Sequence, residues 1–242
     1  MTYFYKLNAV FKERERVERL SLIRELIFGA QDGLIAPLAI IATISGAFVS
    51  KDVILITGIS ASLAGALTLG TGTYLASQAE QEVLKSEIRK EKRQINRDPK
   101  REREELILMF EAEGLSYKNA EIVVDKILTS KKSFQNTQIQ KELGLDPLQP
   151  GNPVRDGIYT SFAALLCSLI PLSPFFFIQG FSAMELSTIL SLCALFMIGV
   201  IKGQVATINP FKSGLQVLFL GLIADIGGLL LGKFLPQIIH FS

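Results

Sequence analysis

The chain has 242 residues, is 49% hydrophobic and 20% charged, and carries a net charge of only +2. Its mean hydropathy of +0.36 is too high for most soluble domains, and so small a net charge provides no global basic field for nucleic acid. A single histidine, His240, and two cysteines in apolar stretches, Cys167 and Cys193, argue against a histidine-based zinc site, a histidine-dependent triad or a disulfide framework.

The charge is unevenly spread. Residues 77–153 hold well over half of it, and residues 157–242 very little. This pattern predicts an all-α integral membrane protein with one polar helical insertion. The first 20 residues are charged rather than apolar, so no cleavable signal peptide is expected.

Residues 1–23 mix Phe4, Leu7, Val10, Phe11, Val17 and Leu20 with Lys6, Lys12, Arg14, Arg16 and Arg19. A basic amphipathic helix on the cytosolic membrane face fits this mixture. Residues 22–49 form the first stretch long enough to span a bilayer. It carries Glu25 near its start and Asp32 about two turns further in. An ionised carboxylate inside a span costs at least a few kcal/mol unless it is paired, protonated or touching a cation. Gly29 and Gly33 flank Asp32, and Pro37 can kink the helix. Two readings of Asp32 stand from these residues: a cation or proton site on a polar path, or a local cap near the interface.

A connection of a few residues leads to a second span over residues 53–76, rich in Gly, Ala, Ser and Thr, so the first two spans form an antiparallel hairpin. Its Gly70-Thr71-Gly72 lacks the lysine of a phosphate loop. The helix continues through residues 77–96 into polar sequence, and Pro99 marks a turn. Further helices are predicted over residues 101–113, stopped by Gly114, then 116–129 and 133–143. Gly144, Pro147, Pro150, Gly151 and Pro153 form a linker.

Three more spans follow over residues 154–178, 186–201 and 215–239. The last contains Asp225 and the small pair Gly228 and Gly232. Asp225 could serve the path or pair with Lys202, Lys212 or Lys233, and the pairing ranks slightly ahead. The expected organisation is therefore a segment 1–23, spans 1 and 2 in 24–76, a helical insertion in 77–153 and spans 3–5 in 154–242. Nearly all Lys and Arg fall on one side, which places the N-terminus and the insertion in the cytosol and the C-terminus outside or in a lumen.

Glu80, Glu87, Glu91 and Gln94 are spaced by seven, four and three, which puts them within about 60° on one helix face. Glu102 and Glu105 share a face of the next helix, with Met109 four residues on. Glu142 comes from the fourth polar helix. In a bundle these oxygens could converge on a hard or borderline divalent metal such as Fe²⁺ or Mn²⁺. Interleaved Lys and Arg allow instead an ordinary salt-bridged surface.

Three stretches resemble the vacuolar iron transporter family: Gly29-Ala-Gln-Asp-Gly-Leu-Ile-Ala-Pro37, Ala64-Gly-Ala-Leu-Thr-Leu-Gly-Thr-Gly-Thr-Tyr-Leu-Ala76 and Leu169-Ile-Pro-Leu-Ser-Pro-Phe175. The resemblance covers nearly all of the chain from Arg24 onward. It implies five spans with a cytosolic metal-binding insertion, no prosthetic group, and proton-coupled export of Fe²⁺ and often Mn²⁺. The implied host is a vacuolar-type, plasma or inner membrane. It also implies a homodimer in the lipid bilayer, with the path between the two copies' first spans. Carried over by position, Asp32 is the first-span aspartate and Glu25 the acid at the cytosolic mouth. Glu91, Glu102, Glu105 and Glu142 fall on the metal-domain glutamates, with Glu87 and Gln94 beside them on the same stripe.

The departures bear on the metal. Leu69, after Thr68, stands where iron-transporting members place a methionine on the path. Ala61 replaces an acid, Gln94 a glutamate, and Gln138 and Ile139 two methionines. Losing soft sulfur leaves an oxygen site and opens Mn²⁺ or a broader divalent preference. The competing class is a non-transporting membrane scaffold whose polar helices dock a partner. No nucleophile–base pairing supports an enzyme.

Overall fold

The computed structural model describes residues 2–46, 50–144 and 151–239, with side chains from residue 22 onward apart from 237 and 239. It is all-helical: α1 (Thr2–Gly46), α2 (Lys51–Arg97), α3 (Pro99–Ala112), α4 (Tyr117–Leu128), α5 (Lys131–Glu142), α6 (Pro153–Phe177), α7 (Phe181–Val205) and α8 (Pro210–Ile239). Five helices, α1, α2, α6, α7 and α8, are long and apolar enough to cross a membrane. The chain divides into two compact units, Met1–Tyr74 with Val154–Ser242, and Leu75–Pro153.

In the first unit α1 is the central element. Its Gly29 and Gly33 lie against the α6 backbone: an added Cβ would stand 2.3 Å from the Thr160 carbonyl oxygen and 2.2 Å from that of Ala164. Gly228 and Gly232 of α8 lie as closely against Ala39 and Thr43 of α1. Both seams advance four residues in the same direction, so α6 and α8 run parallel to α1. Small residues are what permit such backbone approach in lipid, where apolar burial gives little drive between helices. Leu34 packs with Leu195 and Val217, and Ile41 with Ile54, Leu172, Phe175 and Met184. The outward side chains are large and apolar, among them Phe162, Phe219, Ile223 and Leu231.

At Pro174 of α6 a hydroxyl replaces the missing backbone donor. Pro174 has no N–H to give the Ile170 carbonyl, and Ser173 Oγ donates to that oxygen instead at 2.7 Å. Ser187 Oγ of α7 donates to the Pro171 carbonyl at 2.6 Å.

Replacing Gly232 by Leu is expected to lower the thermal midpoint of the detergent-solubilised protein, since overpacking of a tight contact costs about 1–3 kcal/mol. A Cβ there would meet the Thr43 carbonyl oxygen at 2.0 Å, whereas Gly227 on the same helix has open space. Gly227→Leu should therefore leave the midpoint, followed by circular dichroism at 222 nm, unchanged.

The second unit is a small bundle of α3, α4, α5 and the polar end of α2. Its core is Ile95, Leu106, Ile107, Ala120, Val124 and Phe134. Asp98 caps α3 by accepting from the Arg101 N–H at 3.2 Å, with Pro99 in the first turn. Gly114, at φ +100°, makes the turn that ends α3. Arg103 joins α3 to α4 through Glu121 and Asp125, and Lys141 joins α5 to α3 through Glu113 and the Phe110 ring.

The basic N-terminal segment is helical and runs without a break into the first span, so residues 2–46 form one helix; the side chains that would make it amphipathic lie outside the described residues. The structure differs from the sequence expectations in two places. The fourth span extends to Phe181–Val205, its polar ends remaining helical beyond the apolar run. Asp225 pairs with no lysine among the described residues. It accepts from the Thr188 hydroxyl of α7 at 3.3 and 3.4 Å, for it lies buried inside the seam while Lys212 and Lys233 are exposed. Residues 47–49 of the first apolar stretch and 145–150 of the linker lie outside the described residues, as does His240. Cys167 and Cys193 are free thiols.

Candidate metal centre and membrane carboxylates

In the second unit the bundle brings three carboxylates together. Glu91 of α2, Glu102 of α3 and Glu142 of α5 each place one carboxylate oxygen within 4.8 Å of the others. Glu91 and Glu102 are buried, at 2% and 3% exposure, and Glu142 reaches in from the surface. Glu91 turns inward because it lies one turn from Ile95, a core residue on the same face. Glu102 opens α3 one turn before the fully buried Leu106.

Such crowding has an electrostatic cost. Burial, the neighbouring Glu142 charge and a hydrogen bond shared with it push the Glu91 carboxyl up to about 7, with Glu102 and Glu105 adding to the effect. Glu102 is also raised, by burial and by Glu105 and Glu142, against the opposing pull of Arg101 and Gln138. Glu91 Oε1 is buried with no hydrogen-bond partner. A divalent cation would supply what these oxygens lack: compensation for the crowded charge and a partner for the bare oxygen.

The other expected ligands stand differently. Glu105, half-buried, accepts from Arg101 Nε at 2.8 Å, close enough to act on the group by its charge. Glu87 pairs with Lys90 at 2.6 Å, and Gln94 is exposed. Gln138 enters the centre instead. It is fully buried, and its Nε2 donates to Glu102 Oε2 at 3.1 Å and to Glu142 Oε2 at 3.3 Å. The four-residue step from Gln138 to Glu142 was the available sequence signal for this contact.

In the first unit the two acids of α1 lie in opposite surroundings. Glu25 is buried. It accepts from Arg24 at 2.6 Å and from the Thr160 hydroxyl of α6 at 3.2 Å. Asp32 is exposed on the unit's surface, on the stripe Arg24, Phe28, Asp32 and Ala36, and has no hydrogen-bond or ion-pair partner among the described residues. The close packing of Gly29 and Gly33 on α6 turns the glycine face inward and leaves this stripe outward. Thr68 is exposed and Leu69 half-buried on α2, neither bonded to Asp32. Thr160 and Thr188, which hold Glu25 and Asp225, carry no distinguishing sequence signal, since hydroxyls are common in membrane helices.

Known proteins of similar sequence are vacuolar iron transporters. The chain is 33% identical to vacuolar iron transporter 1 of Eucalyptus grandis over 205 residues, which cover 84% of this chain and 82% of the relative. It is 30% identical to vacuolar iron transporter 1 of Tulipa gesneriana over 227 residues, 93% and 92% of the two chains. With the vacuolar iron transporter of Plasmodium falciparum it shares 26% identity over 225 residues, 89% and 82% of the two chains. The model of the VIT family matches residues 23–233, and the chain belongs to this family of membrane transporters, not enzymes.

Proposed function

We propose that the protein moves Fe²⁺, Mn²⁺ or both out of the cytosol as a homodimer, in exchange for protons. The observation that carries this reading is Asp32, a carboxylate with no partner among the described residues, on the outward face of a helix long and apolar enough to cross a membrane. Lipid cannot accommodate it ionised, so that face needs a polar environment. A second copy apposed on the same stripe would supply one, with two Asp32 carboxylates facing a shared path. The bilayer itself is the other partner of the unit, through its large outward apolar side chains.

The relatives' names support iron as cargo. Glu91, Glu102 and Glu142 would gather the ion, with Glu105 adding negative potential. Glu25 would stand at the cytosolic entrance, and Thr68 and Leu69 would line the path. A carboxylate does not hold a proton and a metal tightly at once, so protonation of Asp32 from the far side would favour release. The concentration of Lys and Arg supports a cytosolic N-terminus and insertion.

The test is metal uptake into proteoliposomes containing the purified protein, with an imposed pH gradient and Fe²⁺, Mn²⁺ and Ca²⁺ compared. Uptake of Fe²⁺ or Mn²⁺ that collapses with the gradient is expected. Uptake of no ion by an intact dimer would reject transport and favour a scaffold that docks a partner.

A further inference from the structure

Gln138 is placed unusually for a neutral side chain. It is fully buried, and its two amide hydrogens bridge carboxylates from different helices, Glu102 on α3 and Glu142 on its own α5. Its Oε1 is buried and accepts no hydrogen bond. Glu91 Oε1, the other unpartnered oxygen of this cluster, is also buried. Without an ion, the amide hydrogens partly neutralise the cluster. With an ion among the carboxylates, those partly positive hydrogens would face a cation.

A half-turn about the terminal torsion exchanges Nε2 and Oε1 at little steric cost. It breaks only the two hydrogen bonds whose acceptors the ion would take over, because Oε1 is bonded to nothing. Resting on the reading of this centre as a metal site, we propose that Gln138 is its selector: the amide bridges Glu102 and Glu142 when no ion is held, and turns to offer Oε1 as a further oxygen ligand when one binds. Three carboxylates and an amide carbonyl make an all-oxygen donor set, which suits Mn²⁺ better than softer divalent ions such as Cd²⁺.

The experiment is Mn²⁺ binding to the purified full-length protein, followed by the paramagnetic resonance of free Mn²⁺, with Cd²⁺ as competitor. Asp32→Asn serves as the background, so that the membrane site does not contribute. Gln138→Leu should weaken Mn²⁺ binding about tenfold. Gln138→Met, close to isosteric, should move the preference toward Cd²⁺ by supplying a thioether, and it carries the test alone if the Leu variant fails to elute as folded protein. Mn²⁺ binding unchanged by Gln138→Leu, or a Mn²⁺ to Cd²⁺ ratio unchanged by Gln138→Met, overturns the role of Gln138. Glu102→Gln separates the two levels. If it too leaves Mn²⁺ binding unchanged, the metal centre itself is wrong; if it abolishes binding while the Gln138 variants are silent, only the selector is.

Discussion

Asp32→Asn should reduce gradient-driven uptake of Fe²⁺ or Mn²⁺ by about 100-fold or more, while the protein remains folded and able to bind metal in its second unit. Asparagine has the shape of a protonated aspartic acid but can neither carry a negative charge nor release a proton. Losing a charge-to-cation contact of about 3 kcal/mol corresponds to that factor. The substitution is informative because Asp32 has no partner among the described residues, so no ion pair described in its unit is disrupted. Glu25→Gln should be milder: Glu25 already accepts from Arg24 and Thr160, and the amide oxygen retains one of these contacts. The measurement is initial uptake into proteoliposomes matched for reconstituted protein. Normal uptake by Asp32→Asn would remove Asp32 from the path and leave it a structural residue at the surface of α1.

The periodic and punctuating signals in this sequence were strong, and the helices follow them. The apolar runs, the Asn96-Arg97-Asp98-Pro99 turn and Gly114 each mark an end that the structure reproduces within a few residues. The N-terminal segment shows the limit of composition. Its change from charged to apolar marks a change of environment, but nothing at residues 20–24 breaks the backbone, so the helix runs through. Side-chain partners were harder to read. Spacing put Glu87, Glu91 and Gln94 on one face, but a face about 60° wide does not say which member meets the bundle. The core contact of Ile95 turns Glu91 inward, while Lys90 takes Glu87. Asp225 had three lysines within sequence reach, yet its partner is Thr188, brought to it by the antiparallel packing of α7 on α8. Such a contact depends on the register of two helices that α8's own sequence does not encode. Gln138 was visible as a substitution for a softer residue and as a neighbour of Glu142 four residues on, but its contact with Glu102 follows only from the packing of α5 on α3.

Metal binding by the second unit should steepen below neutral pH, with Glu91 setting the breakpoint. Its carboxyl stands at about 7, against an ordinary value of 4.5, so near neutrality the site holds a proton that an entering cation must displace. Affinity for Mn²⁺ should rise about tenfold per pH unit up to roughly 7 and then level off, each ion releasing about one proton at pH 6 and few at pH 8. Glu102, raised as well, adds to the slope at lower pH. The same shift has an opposite consequence for the metal-free fold. The folded form binds the Glu91 proton more tightly than the unfolded chain does. That contribution to stability is therefore complete below 4.5 and is lost as pH rises through about 7. The metal-free protein should melt at a lower temperature at pH 8 than at pH 6, and saturating Mn²⁺ should narrow the difference. Glu91→Gln fixes the neutral form: it should weaken Mn²⁺ binding at pH 8, flatten the pH profile between 6 and 8, and raise the metal-free midpoint at pH 8. Isothermal titration in buffers of different ionisation enthalpy counts the protons. A variant whose pH profile matched the unaltered protein would assign the titration to another group and take Glu91 out of the centre.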